Sequence, residues 1–447
     1  MINHKDTNTT KGHKSVSFVS PAALWFNASS SMSDPLLLWR DEFPILQHTT
    51  YLISNSLGAM PRAVPGALAA YAHAWATRGV RAWESNRVPA AECGPGNDRR
   101  TPHSELRTSH LEDGWWEMPI AVGDMVAPLI GASPGEVSMH QNVTSASAMV
   151  LSCFDFRPPR NRIVLNELEF PSVRYLYQAL RDSGAELVVV PSDDGIRVPT
   201  GRMIEAIDER TLLVPFSHVL YRSACIQDVA AITAGAHRTG AYVVLDTYHS
   251  AGVLPLDVQG LAVDFAVGGV LKWLCGGPGA AFLYVRPDLG AHLKPRLAGW
   301  QAHRRPFAFE GEMDLREDAW RFLTGTPQVP ALYAARPGLE IINKVGVANI
   351  RAKSVCQTSL LVELARERGW RVNSPLDAAE RRELRFAYRP SPAAVTGNRL
   401  GHEALDVGVL FSHAQNAAIA ENHEGGVAVA RSTAYIEPSF ALVPAGP

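Results

Sequence analysis

The chain has 447 residues, 46% of them hydrophobic and 19% charged, with a formal net charge of −2. This is ordinary globular composition in a chain too long for one core, so two or three domains, or one large and one small, are expected. The near-neutral charge gives no electrostatic case for nucleic acid or an anionic membrane, and no apolar run reaches the about 18–20 residues a spanning helix needs.

Residues 1–33 read as a disordered leader, and their short apolar patch, broken by Ser and Pro, makes a poor secretion signal. The chain becomes globular at "DPLLLWRDEF", and residues 64–84 have helical periodicity with Ala and Trp on repeating faces. Residues 85–113 are polar and rich in Gly and Pro, and read as a long surface insertion between helices. "GWWEMPIAVGDMVAPLIGA" resumes helix, and another helix opens near "NVTSASA". Short aliphatic strands then alternate with helical stretches: "RIVLN", "ELVVVP", "TLLVPFSHV", "AYVVLD", "DFAVGG" and "AAFLYV". That alternation predicts an α/β fold with a mainly parallel sheet between helices, its ligands at the carboxyl ends of the strands. Residues 331–367 read as helical, and 376–447 show only weak alternation with unusual His and Asn content. The five cysteines, Cys93, Cys153, Cys225, Cys275 and Cys356, are odd in number and lack CxxC spacing. They favour a reducing, cytoplasmic setting over a disulfide framework or a zinc site.

One lysine stands out. Lys272 sits between two apolar runs, just ahead of Gly276-Gly277-Pro278-Gly279, and lysine is rarely buried unless it is paired or chemically used. Asp246 ends the strand "AYVVLD", and His249 follows three residues later. An Asp and then a Lys at such strand ends suit a pyridoxal phosphate site. The amine forms a Schiff base with the aldehyde, and the carboxylate keeps the pyridine nitrogen protonated. "QNVTSASA" offers N–H groups and hydroxyls at a helix start, a phosphate cradle. Phe170, in "NELEFPSVRY", is placed to stack on a heteroaromatic ring, and Gly325-Thr326-Pro327 forms a turn before a helix. Each has a plainer reading: an aspartate capping its turn, an N-cap by Thr144 or Ser145, a core Phe, a loop.

The order NSLG, NVTSA, EFPS, LDTYHSAG, LKWLCGGPG, GWQAH and TGTPQVPALY resembles the kynureninase group of fold-type-I, class-V pyridoxal phosphate enzymes over about residues 35–84 and 114–375. The resemblance implies a large domain, residues 61–330, with a seven-stranded, mainly parallel sheet flanked by helices. A small α+β domain would combine an arm at 34–60 with residues 331–447. It implies Lys272 as the Schiff-base lysine, Asp246 on the pyridinium nitrogen, His249 beside it, and Phe170 stacked on the ring. Val143, Thr144 and Trp300 would hold the phosphate, Thr326 would reach it across a homodimer interface, and Asn55, Ser56 and Gly58 would line the substrate mouth.

The chain departs from that pattern at Leu271, where the family has Tyr, at Thr326, where it has Asn, and at Val173, where it has an acid. The family's arginine for the substrate carboxylate has only a loose match in Arg431. The 85–113 insertion and the unmatched tail suggest an altered gene product, from a retained intron or a frameshift. The leading expectation is hydrolysis of the Cβ–Cγ bond of kynurenine or a related amino acid to alanine and an aryl acid. Two readings stay open beside it: another class-V reaction (aminotransferase, lyase or epimerase) and a non-catalytic relative. Desulfuration is disfavoured, since Leu271 stands where desulfurases have His and no Cys lies beyond Cys356.

Overall fold

The computed structural model describes residues 34–85, 114–367, 369 and 371–382, with the backbone of two further strands, Leu384–Ala387 and Asp406–Val409. Seven strands form the main sheet: β1 Val137–His140, β2 Arg162–Asn166, β3 Glu186–Val190, β4 Thr211–Ser217, β5 Tyr242–Asp246, β6 Phe265–Gly269 and β7 Ala281–Val285. Their order is β1-β7-β6-β5-β4-β2-β3. The pairs from β6 to β3 are parallel, while β7 runs against both β6 and β1. The expected seven-stranded, mainly parallel sheet is therefore present. Strand β1 was not foreseen, because "VSMH" is short and half polar, and its burial comes from pairing with β7 and packing under the helix Met118–Ile130.

Strands β2 and β4 to β7 are largely aliphatic because both faces are covered. Successive side chains alternate between two cores. Val164, Val214, Phe216, Val243, Leu245 and Phe282 face one core. Ile163, Leu165, Leu213, Val244, Val267 and Leu283 face the other. On the first side lie the helices α1 Val64–Arg78, α2 Met118–Ile130, α6 Val229–Arg238 and α7 Val329–Val345. On the second lie α3 Val143–Leu151 and α4 Pro171–Ala179. The short α5, Thr200–Glu205, packs against α6, and α8 spans Val347–Glu367.

The helical reading of 64–84 resolves into α1 followed by a 3-10 turn, Gly79–Trp83. Tyr71 of α1 packs on Tyr333 of α7 at 5.7 Å between ring centroids. Asn343 of α7 donates to the Met125 carbonyl of α2 at 2.9 Å. The turn after Lys272 also rests on α7, where a Cβ on Gly338 would meet the Leu274 carbonyl oxygen at 2.2 Å. Residues 86–113 of the expected insertion, and most of the tail beyond Arg382, lie outside the described residues. The strands Leu384–Ala387 and Asp406–Val409 pair antiparallel.

Candidate active site

The parallel run β6-β5-β4-β2 brings four carboxyl ends to one edge. After β2 comes the turn with Glu169 and Phe170. β4 ends on Ser217, β5 on Asp246 with Tyr248 and His249 following, and β6 leads to Lys272. Since β1 and β6 both oppose β7, β1 also delivers its carboxyl end there, and α3 begins at that edge.

Lys272 Nζ lies 2.8 Å from His249 Nε2. It stands 4.6 Å from the ring centroid of Tyr248 and 5.7 Å from that of Phe170. Two aromatic faces thus flank the amine. Gly269 permits this, because a Cβ there would meet the Tyr248 ring at 2.5 Å. Gly58 matters for the same reason: its N–H donates to the Leu271 carbonyl at 2.9 Å, and a Cβ would lie 2.1 Å from the Lys272 carbonyl oxygen. The "NSLG" turn is pressed against the lysine turn, backbone to backbone. Within it Asn55 is buried, with no hydrogen-bond partner for Oδ1 among the described residues, and Ser56 is exposed.

Asp246 Oδ1 accepts the Tyr248 N–H at 2.8 Å. Burial pushes its carboxyl up to about 6, against the pull of that N–H and of Lys272. Glu169, 2% exposed, accepts the Ser217 N–H at 3.0 Å, the Ser217 hydroxyl and the Asn166 amide. Burial pushes Glu169 up to about 7; its hydrogen bonds from Ser217 oppose the rise and nearby Asp246 adds to it. The buried Tyr177 phenol is raised by burial and by both carboxylates.

On its other side, His249 Nδ1 lies 3.5 Å from Arg382 Nη2. Arg382 is 1% exposed, and its guanidinium sits 4.1 Å from the Trp273 ring centroid. The Arg382 N–H donates to the Ala224 carbonyl at 2.9 Å, which ties this segment to the loop after β4.

At the start of α3, Asn142 Oδ1 accepts the Ser145 N–H at 2.9 Å, and the Ser145 hydroxyl receives the Asn142 N–H at 3.2 Å. This capping box leaves the Val143 and Thr144 N–H groups, the first two helical positions, without intrahelical acceptors. Trp300 donates its indole N–H to the Pro306 carbonyl and packs with Trp116, Phe307 and Phe309. Thr326 is exposed in the turn before α7. Arg431 lies outside the described residues. Of the expected residues, then, Lys272, His249, Asp246 and Phe170 come together directly, with the first turn of α3 and the "NSLG" turn at the same edge.

Sequence reasoning missed three neighbours. Tyr248 and Glu169 stood inside quoted motifs without a role. Arg382 had no local signal, because only the tertiary fold brings it to His249. The donor set fits pyridoxal phosphate: an amine between aromatic faces, a carboxyl at a strand end, and open N–H groups at a helix start.

The aminotransferase class-V family model matches residues 112–388. A kynureninase of Pseudomonas fluorescens is 31% identical over 345 residues, 75% of each chain. A kynureninase of Burkholderia pseudomallei strain 1106a is 31% identical over 346 residues, again 75% of each. The apo cysteine desulfurase of Thermococcus onnurineus NA1 superposes with a TM-score of 0.65 at 20% identity, over 82% of this chain and 86% of its own. A C-DES mutant with glycine linked to its pyridoxal phosphate cofactor gives 0.63 at 21% identity, over 78% and 85%. At such identities the structural likeness is one of fold.

Proposed function

Because the chain belongs to the aminotransferase class-V family of pyridoxal phosphate-dependent enzymes, and is kynureninase-like within it, we propose that it hydrolyses the Cβ–Cγ bond of L-kynurenine or a related amino acid. The products are alanine and an aryl acid such as anthranilate. One observation carries this reading: Lys272 is held between Phe170 and Tyr248, beside His249 and at the strand edge of Asp246, in a chain aligned with kynureninases over 75% of its length.

Pyridoxal phosphate supplies an electron sink when bound. Lys272 Nζ would hold the cofactor and, once the substrate amine displaces it, would act as the base at the substrate α-carbon. Asp246 holds a proton at the ring nitrogen, and His249 orients the amine. Phe170 and Tyr248 flank the reacting amine. Val143 and Thr144 take the phosphate at the start of α3, joined by Trp300 through its ring and by Thr326 from the partner subunit of a homodimer. Asn55, Ser56 and Gly58 form the substrate mouth. The α-carboxylate goes to Arg382, the buried guanidinium beside His249, in place of the expected Arg431. Cytoplasmic placement accompanies this reading. Among the described residues no helix is long and apolar enough to cross a membrane.

The test is the visible absorption spectrum of the purified protein beside Lys272→Ala, before and after adding L-kynurenine. A yellow band that Lys272→Ala lacks, followed by fluorescent anthranilate, supports the reading. A band that changes with kynurenine but yields no anthranilate moves the assignment to another amino acid or another class-V reaction.

A further inference from the structure

The cofactor-facing carboxylate is backed by a second acid that the mechanism above does not use. Glu169 is 2% exposed and sits in the turn ahead of Phe170. Its oxygens take the N–H and the hydroxyl of Ser217, and Ser217 pairs in register with Asp246 across β4 and β5. Asn166 donates to Glu169 from below, and Gln227 donates to the Ser217 carbonyl at 2.6 Å.

The charged and titratable groups around this cluster can be named element by element. Tyr177 of α4 is a buried phenol. His218, after β4, is 8% exposed and held neutral by burial, at about 4. Asp246 and Tyr248 belong to β5 and its turn. Lys272 acts on Asp246 and lies next to His249. Two carboxyls in one desolvated cluster titrate as a pair, because the second charge is costly beside the first.

We infer that Glu169 is a positioning residue that places a second negative charge behind Asp246 through Ser217, strengthening the site's hold on a protonated cofactor ring nitrogen on the alkaline side of neutrality. The pair binds its first proton near 7 and its second near 6, so just below neutral pH it carries a single negative charge. Above it both carboxyls are charged, and the ring nitrogen keeps its proton further into the alkaline range. This inference rests on the proposed facing of Asp246 toward that nitrogen.

The experiment measures the dissociation constant of pyridoxal phosphate from the full chain between pH 6 and 8.5, for wild type, Glu169→Gln, Ser217→Ala and Asp246→Asn. Glu169→Gln keeps an acceptor for the Ser217 N–H but cannot ionise. It should match wild type within about twofold at pH 6 and bind about tenfold more weakly at pH 8.5, the value of roughly one pKa unit. Ser217→Ala removes a hydrogen bond to the charged carboxyl and should move the wild-type break to higher pH. The pH 6–8.5 dependence of the visible band gives a second readout.

A Glu169→Gln profile parallel to wild type at every pH, or weakened equally at every pH, would overturn the inference in favour of a purely structural Glu169. If Glu169→Gln does not fold, an unmoved break in Ser217→Ala overturns it instead. Asp246→Asn binding as tightly as wild type at every pH would defeat the underlying placement of Asp246, a different result from a flat Glu169→Gln profile.

Discussion

His249 Nε2 lies 2.8 Å from Lys272 Nζ while His249 Nδ1 faces the Arg382 guanidinium at 3.5 Å. A guanidinium only donates, so the nitrogen facing it carries the lone pair. His249 thus links the lysine amine to the buried guanidinium, with one ring nitrogen toward each.

His249→Asn should leave the Lys272-dependent visible band in place, since the amine and its aromatic neighbours remain. Turnover should fall about 100–10,000-fold, the range for losing a positioned proton-handling group. Steady-state kinetics beside the absorption spectrum separate the two effects. Loss of the band together with activity would assign His249 to cofactor binding.

Arg382→Met should raise KM for the amino-acid substrate about 10–100-fold with a smaller change in kcat, as expected when a charge-assisted hydrogen bond of about 1.5–3 kcal/mol is lost. Arg431→Met is the comparison. If KM responds to Arg431 and not to Arg382, the carboxylate site belongs to the tail.

Gly58→Ala places a methyl 2.1 Å from the Lys272 carbonyl oxygen, a backbone atom that cannot step aside. A loss of about 1–3 kcal/mol is expected from such overpacking. It should appear as a lower Tm and a weaker cofactor band, because the displaced turn carries Lys272. Unchanged Tm and spectrum would show that the "NSLG" turn and the lysine turn move independently.

The apoprotein's stability should depend on Glu169. Its folded carboxyl titrates near 7, above the ordinary value of 4.5. The contribution of a group whose folded pKa is raised is fully present below the unfolded pKa and is lost as pH rises through the folded one. Between about pH 4.5 and 7 wild type should therefore lose up to about 3 kcal/mol that Glu169→Gln does not lose. Urea unfolding of both proteins at pH 4.5, 6 and 7.5 measures the difference. A gap independent of pH would mean that Glu169 keeps its ordinary proton affinity in the fold.

Much of the sheet was legible because six of its strands are continuous aliphatic runs, a pattern that only a sheet buried on both faces requires. β1 was not legible: "VSMH" has two polar residues, and its burial is imposed by β7 and by α2. The lysine and the aspartate could be found because strand ends in a parallel sheet are places of known chemical use. The roles of Trp300 and Thr326 stayed expectations. Trp300 is engaged with Pro306 and its aromatic neighbours, and the role proposed for Thr326 calls for a second chain.

By itself the sequence determined the alternation of strands and helices, the edge at which a ligand would sit, and the order of motifs that resembles a class-V enzyme. These depend on periodicity and local turn chemistry, which are properties of neighbours along the chain. Only the tertiary structure decided that Arg382 backs His249, that Glu169 stands behind Asp246 through Ser217, and that Gly58 must lack a side chain to meet the lysine turn. Those relations join residues far apart in sequence. They arise from burial, which brings charges together out of water and changes their proton affinities, and no local pattern records which partners burial will select.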